Sequence, residues 1–208
     1  MTSDSQDNIS YNAELGRKAI HLGSMVIPIG AYLFPLPMGL AILAFSLAVS
    51  LVIDLERTLP GPIGRFINGR MGYMMRPHEK QVKRGGFIPM SGATWMLISA
   101  ILTFALFPRE IAVAAFSMLI LCDTAAALVG RRFGRIRFGP RRKSLEGSLA
   151  FFITGVTIVA LTPSLPMVAG IIGAAAATVA EAAPWEVDDN FSIPLSAGLV
   201  MWLLLGSG

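Results

Sequence analysis

One acidic residue interrupts an apolar stretch and is followed by a strongly basic loop. Asp123 is the only charged residue between positions 111 and 130, and the segment 131–143 then carries seven Lys and Arg residues. A carboxylate in an apolar span is costly unless it faces a cation, a metal ion or water. A polyphosphate–Mg²⁺ complex needs anionic metal ligands beside cationic clamps. This pairing therefore predicts a phosphate and metal site, with a helix packing seam containing an Asp123–Arg pair as the alternative.

The end of the basic loop carries the next chemically informative residues, Lys143, Ser144, Glu146 and Gly147. Ser144 is a good N-cap for the helix that follows, and a helix N-terminus with its free N–H groups suits phosphate. Glu146 could hold Mg²⁺ or orient Lys143, although a carboxylate in a first helical turn also stabilises the helix by itself. The basic charge alone would carry no functional prediction, because cytoplasmic membrane loops are basic anyway.

Further polar groups lie near three other apolar runs. Asp188, Asp189 and Asn190 precede the last run and can bind a metal or cap its helix. Arg17, Lys18 and His21 share one broad helical face with Glu14. Arg76 and Glu79 precede a third run that begins near Ser91.

The elements that must position these groups are membrane helices. Of the 208 residues, 54% are hydrophobic and 14% are charged, against roughly 25% charged in soluble domains. Since about 20 apolar residues cross a bilayer, we predict an all-α polytopic bundle of about seven spans. They cover about 15–34, 38–55, 90–107, 110–130, 145–162, 165–183 and 191–206.

This prediction leaves residues 1–13 as a polar tail and 14–208 as a single transmembrane catalytic domain, with polar loops near 56–89, 131–144 and 184–190. Six spans with a re-entrant segment is the alternative. The tail has no basic region or small-residue cleavage site, so no cleavable signal peptide is expected. Composition excludes a nucleic-acid module, and neither a P-loop nor a kinase-type glycine-rich loop is present.

The charges are strongly one-sided in the seven-span arrangement. Sixteen of the 17 Lys and Arg residues fall on the side of the N-terminus, and Arg109 alone falls on the other. The positive-inside rule places the N-terminus and the long loops in the cytoplasm. A multi-pass protein of a bacterial or archaeal inner or plasma membrane, with a cytoplasmic active site, is the expectation. One-sided polar chemistry favours a membrane enzyme over a lipid or ion transporter.

Five motifs resemble, in this order, those of the CTP-dependent lipid-alcohol kinases, the family of polyprenol, dolichol, phytol and diacylglycerol kinases. They are Glu14-x-x-Arg17-Lys18-x-x-His21; Arg76-x-x-Glu79 with Ser91-Gly92-Ala93-Thr94; Asp123-Thr124-x-Ala126-Ala127-x-x-Gly130-Arg131-x-Phe133-Gly134; Lys143-Ser144-x-Glu146-Gly147; and Asp188-Asp189-Asn190-x-x-x-Pro194. The resemblance covers roughly residues 14–198. The stretch from Asp123 to Gly147 is also similar to phosphatidate cytidylyltransferases, whereas the motif around His21 favours the kinases.

The resemblance implies transfer of the γ-phosphate of CTP to the hydroxyl of a membrane lipid alcohol, with Mg²⁺ as the cofactor. The implied catalytic residues are Asp123, Lys143, Glu146, Arg17, Lys18 and His21. The implied nucleotide-binding residues are Gly130, Arg131, Gly134, Ser144, Gly147, Arg76, Glu79 and Asn190. The implied metal ligands are Asp123, Asp188 and Asp189. Asp123, His21 and Glu79 stay open as the general base, and the lipid alcohol stays open as well.

Overall fold

The computed structural model describes residues 11–71, 89–140, 142–183 and 187–206. Within these ranges the chain is mostly helical, as its composition predicts. The helices are α1 Tyr11–Gly23, α2 Val26–Leu33, α3 Leu36–Thr58, α4 Pro62–Met71, α5 Gly92–Leu106, α6 Arg109–Ser117, α7 Asp123–Phe133, α8 Leu145–Ala160, α9 Met167–Ala182 and α10 Asp189–Gly206. Two short strands, β1 Arg137–Phe138 and β2 Lys143–Ser144, pair antiparallel in the basic loop, a small departure from the all-α prediction.

Among the described residues, three helical stretches are long and apolar enough to cross a membrane by length and composition. They are α3, the continuous stretch Arg109–Phe133 and α10. Helices α5, α8 and α9 are apolar but shorter, with 15, 16 and 16 residues. A mostly helical fold with candidate membrane spans is therefore present.

The predicted first span, 15–34, is divided in the structure. Helix α1 ends at Gly23, a turn at Ser24 and Met25 follows, and α2 begins at Val26. Pro28 explains the position of this break, because proline has no N–H to donate to the carbonyl four residues earlier. The division leaves α1, with its charged face, as a separate short helix against the bundle.

A long central helix organises the bundle. Helix α6 continues into α7 through one π-helical turn, Met118–Cys122, and Met118, Leu119 and Ile120 are fully buried. Helices α8, α9 and α10 pack around this axis. The close approach of α9 to α10 depends on Gly173, where an added Cβ would lie 2.5 Å from Cγ of Met201.

Candidate active site

The first half of the site joins α1 to the start of α7. The Lys18 ammonium forms an ion pair with the Asp123 carboxylate and also donates to the Asp123 carbonyl oxygen over 3.1 Å. His21 lies one turn further along α1, with its Nε2 atom 3.5 Å from Oδ2 of Asp123. Lys18 and His21 are buried, and 13% of the Asp123 side chain is exposed. The structure thus brings together three residues that the sequence predicted for one site.

The π-helical turn explains how this meeting is held. A π turn widens the helix locally, and such turns are frequent at functional sites. Here the carbonyl oxygen of Leu119, in that turn, lies 3.2 Å from Nε2 of His21. Asp123 is the next residue after the turn, so one local irregularity positions both the carboxylate and a partner for the imidazole.

The second half of the site is centred on Lys143, at the end of the basic loop. Its ammonium forms an ion pair with Glu181, at the end of α9, and donates to Oδ2 of Asp189, in the first turn of α10, over 3.1 Å. Burial alone would lower the pKa of Lys143, but the carboxylates of Asp189 and Glu181 outweigh it and raise the pKa above its ordinary value. Lys143 therefore stays protonated at physiological pH.

The two halves belong to one electrostatic system. The Asp123 carboxylate interacts with the Lys143 ammonium and with the Glu181 carboxylate across the space between them. Positive and negative groups therefore alternate from Lys18 through Asp123 and Lys143 to the two carboxylates on α9 and α10. An anionic ligand and a divalent cation can each find complementary charge in such a site.

The basic loop is held by hydrogen bonds between side chains and backbone groups. Oε1 of Glu146 accepts hydrogen bonds from the N–H groups of Arg135 and Ile136, over 2.9 Å and 3.3 Å. The Arg137 guanidinium donates to the carbonyl oxygen of Gly130 over 3.1 Å. Among its described hydrogen bonds, Glu146 thus contacts the loop backbone and not Lys143, the residue that the sequence analysis offered as its partner.

Ser144 and three glycines form one tightly packed junction. Ser144 is buried, and its Oγ accepts a hydrogen bond from the Gly147 N–H over 3.1 Å, which confirms the predicted N-cap of α8. An added Cβ on Gly130 would lie 2.8 Å from that Oγ, and one on Gly134 would lie 2.7 Å from it. The Cβ of an alanine at position 147 would lie 2.9 Å from the Ala126 carbonyl oxygen. These predicted nucleotide-binding residues bring α7 and α8 into close contact below the basic loop.

The acidic segment before α10 has divided roles. Oδ1 of Asp188 accepts from the Asn190 N–H over 2.9 Å, so Asp188 caps α10. Asp189 contacts Lys143, and the Asn190 amide donates to the Gly92 carbonyl oxygen over 3.1 Å. Within the described residues, no group of three or more His, Cys, Asp or Glu side chains is arranged to hold a metal ion.

The remaining predicted residues lie at the margins of the site or outside the description. Arg17 is half-buried on α1, and Arg131 is exposed at the end of α7. Arg76 and Glu79 fall between positions 72 and 88, outside the described residues.

Two charged groups with clear structural roles were not predicted as site residues. Glu181 is the ion-pair partner of Lys143, and among the described residues its Oε2 atom is buried without a hydrogen-bond partner. Asp54 is buried on α3 beside Arg57. The argument that singled out Asp123, an ionisable residue in an apolar run, also applies to Asp54, although less strongly because Asp54 stands near the end of its run.

Comparison with known proteins gives relatives along nearly the whole chain. The chain is 27% identical over 220 residues to CTP-dependent diacylglycerol kinase 1 of Schizosaccharomyces pombe, covering 94% of this chain and 95% of that protein. It is 26% identical over 219 residues to the phytol kinase of Synechocystis, covering 97% and 84%. These two relatives support the resemblance of the chain to the CTP-dependent lipid kinase family. An uncharacterized protein of Rickettsia prowazekii is 29% identical over 194 residues, covering 89% and 92%.

The three long apolar helices of the described residues have the length and composition that a membrane protein requires. No family model matches the chain, and no solved structure matches it. The support for a lipid kinase therefore comes from full-length relatives and from the composition and charge of the bundle.

Proposed function

We propose that this protein is an integral membrane kinase that transfers the γ-phosphate of CTP to the hydroxyl group of a membrane lipid alcohol. The observation that carries the proposal is the geometry of two charged clusters in an apolar helical bundle, Lys18 and His21 around Asp123 and the Lys143 ammonium on Asp189. Relatives named as CTP-dependent diacylglycerol kinase and phytol kinase support the same donor and class of acceptor.

We propose that residues 14–208 form a single catalytic domain of about seven spans with the N-terminus in the cytoplasm. The one-sided distribution of basic residues supports this orientation. The site then opens to the cytosol in a bacterial or archaeal inner or plasma membrane, where CTP is available. The hydroxyl end of the lipid reaches the site from the bilayer.

In this proposal Lys143, Arg131, Arg17 and Lys18 bind phosphate groups of the nucleotide. The lipid hydroxyl oxygen attacks the γ-phosphorus, the bond from phosphorus to the β-γ bridging oxygen breaks, and CDP leaves. The hydroxyl proton passes to a nearby base. Asp123 and His21, 3.5 Å apart, are the described candidates for that base, and Glu79 is the third.

The carboxylates of the site suit a Mg²⁺ ion that is bound together with the phosphates of the nucleotide. Mg²⁺ is usually held by one or two carboxylates together with substrate phosphates and water, so it needs no complete protein cage. Asp123 and Asp189 would hold it, and Asp188 would assist only if it gave up its helix cap. When bound, Mg²⁺ would neutralise charge on the transferred phosphoryl group.

The test supplies purified protein, Mg²⁺ and a panel of lipid alcohols plus phosphatidate. CTP is labelled at the γ- or the α-phosphate, with ATP labelled in the same way. Label reaching lipid from the γ-position of CTP supports the proposal, and the responding acceptor names the substrate class. Label from the α-position makes the protein a cytidylyltransferase instead. The absence of transfer from either position, with nucleotide binding also absent, overturns the enzyme assignment.

A further inference from the structure

Helix α3 is apolar in composition, but its fully buried side chains are charged. It is one of the three long apolar helices, yet its buried side chains are the charged residues Asp54 and Arg57, with 1% and 9% exposure. The large apolar side chains of α3, such as Phe45 and Val52, are exposed instead. Leu40 and Leu43 of α3 pack against the core as partly buried side chains, but the fully buried contact of α3 is a polar one near its C-terminal end.

The Asp54 carboxylate collects three hydrogen bonds at the start of α5. Its Oδ2 atom accepts from the Ser91 N–H over 2.8 Å, from the Ser91 hydroxyl over 3.1 Å and from the Thr94 hydroxyl over 2.6 Å. Ser50, one turn earlier on α3, lies 2.6 Å from the same Thr94 hydroxyl. These bonds fix where α5 begins.

Arg57 holds the chain just before that point. Its Nε atom lies 3.3 Å from Oδ1 of Asp54, and its Nη2 atom donates to the Pro89 carbonyl oxygen over 2.8 Å. The pair therefore grips residues 89–91 and the first turn of α5 together. A buried charge pair is weak evidence for stability, because removing charges from water costs about as much as their attraction returns. What such a pair does provide here is a defined geometry.

That geometry extends to the active site through α10. The Gly92 carbonyl oxygen, one residue beyond Ser91, accepts from the Asn190 amide over 3.1 Å. The residue before Asn190 is Asp189, whose carboxylate accepts from Lys143 over 3.1 Å. A continuous path of short contacts therefore joins α3 to the ammonium group of Lys143.

We propose that Asp54 and Arg57 are positioning residues of the active site, which act through Ser91, Gly92 and Asn190 to fix the Asp189 carboxylate and hence Lys143. This inference rests on the proposed function, because Lys143 is there a phosphate-binding group. Weakening these contacts displaces Lys143, which binds the nucleotide, and leaves the lipid-binding part of the bundle unchanged. The expected signature is a change in KM for CTP that KM for the lipid alcohol does not share.

The experiment compares purified Asp54→Asn, Asn190→Ala and the double variant with wild type. Asp54→Asn keeps the shape of the side chain but weakens hydrogen bonds that a carboxylate makes strong. We expect KM for CTP to rise about tenfold, the effect of losing roughly 1.4 kcal/mol of binding. KM for the lipid should stay within about twofold, since uniform binding to that substrate is untouched. KM for CTP of the double variant should be no higher than that of the more impaired single variant, because both substitutions interrupt the same chain of contacts.

Ser46→Ala is the matched control. Ser46 lies two turns earlier on α3, and its hydroxyl bonds only to the Ile42 carbonyl of its own helix among the contacts described for it. Both KM values should be unchanged in this variant. If Asp54→Asn does not fold, Ser50→Ala removes the outer bond to Thr94, and a rise of about threefold in KM for CTP is expected, which corresponds to about 0.65 kcal/mol and lies within the usual contribution of one neutral hydrogen bond.

The outcomes separate this inference from the proposed function. Wild-type protein that transfers no γ-phosphate label contradicts the proposed function itself. Active wild type with an Asp54→Asn variant that melts lower but keeps both KM values would show a purely structural role and overturn the positioning inference. Multiplying effects of Asp54→Asn and Asn190→Ala would also overturn it, because independent actions need no shared path.

Discussion

The ammonium of Lys18 lies against the carboxylate of Asp123, although the two residues are 105 positions apart in the sequence. Helix α1 reaches the central helix at this point, so the ion pair is also the place where the first helix closes the site. Both side chains are largely removed from water. A charge in that setting is tolerated only with its partner present.

Replacing Lys18 by Met should therefore damage both stability and activity. The uncompensated Asp123 carboxylate is expected to cost about 3–5 kcal/mol of unfolding free energy, the usual effect of removing one partner of a buried pair. Phosphoryl transfer should fall at least about 100-fold, the size of effect seen when one electrostatic partner of a transition state is lost. Thermal unfolding in detergent micelles and the labelled-CTP assay measure the two quantities. Arg132→Gln, at an exposed position in the last turn of α7, is the control and should change neither.

Asp123→Asn should abolish turnover in a protein that still inserts and folds, although the unpaired Lys18 ammonium should lower its unfolding free energy as Lys18→Met does. Its proposed roles at the metal and in the electrostatic network need a negative charge, which Asn lacks. Glu110→Gln provides a matched control in the same long helix, because Glu110 is exposed at the opposite end. Near-normal activity of Asp123→Asn would contradict the assignment of Asp123.

The double variant Lys18→Met/Asp123→Asn separates stability from chemistry. Removing both charges should restore much of the unfolding free energy that Lys18→Met alone loses, because no buried charge is left unpaired. Activity should remain absent. Recovered activity in the double variant would show that the pair serves folding alone.

The sequence predicted the helical class and the cap at Ser144, and it singled out Asp123, which the structure places in an ion pair with Lys18, because each has a local signature. An isolated carboxylate in an apolar run and a serine before a first turn are visible without a structure. The polar groups of α1 and of the region after α9 were also predicted for the site, and the structure places Lys18, His21 and Asp189 there.

The features that could not be predicted from the sequence depend mainly on tertiary contacts between helices. The partners of Lys143 come from α9 and α10, 38 and 46 positions away, and nothing local pairs them. The interruption after Gly23 was missed because Pro28 and its neighbours are apolar enough to continue a span. Asp54 was missed because it stands near the end of its run, where a charge attracts less notice than one in the middle.

Lys143→Met should lower the unfolding free energy on the other side of the site. It leaves the Glu181 and Asp189 carboxylates without their shared cation, so both repulsion and burial act against the fold. A loss of about 3–5 kcal/mol of unfolding free energy is expected, and adding Glu181→Gln should recover part of it. Arg135→Gln is the control, since Arg135 is exposed and contacts Glu146 through its backbone N–H. Thermal unfolding of the variants in micelles gives the comparison, and an unchanged melting temperature of Lys143→Met would contradict the ion-pair argument.

Gly147→Ala tests whether the junction of α7 and α8 needs bare backbone. The new Cβ would lie 2.9 Å from the Ala126 carbonyl oxygen and 3.3 Å from Cα of Gly130, and neither backbone atom can rotate away. Overpacking of this kind costs about 1–3 kcal/mol, and the shift of the basic loop should also lower activity. Gly39→Ala is the matched control within α3, because its Cβ would meet no atom within 4 Å. That control should be neutral or stabilising by up to about 1 kcal/mol through helix propensity, so equal melting temperatures for the two variants would contradict the close contact of the two helices.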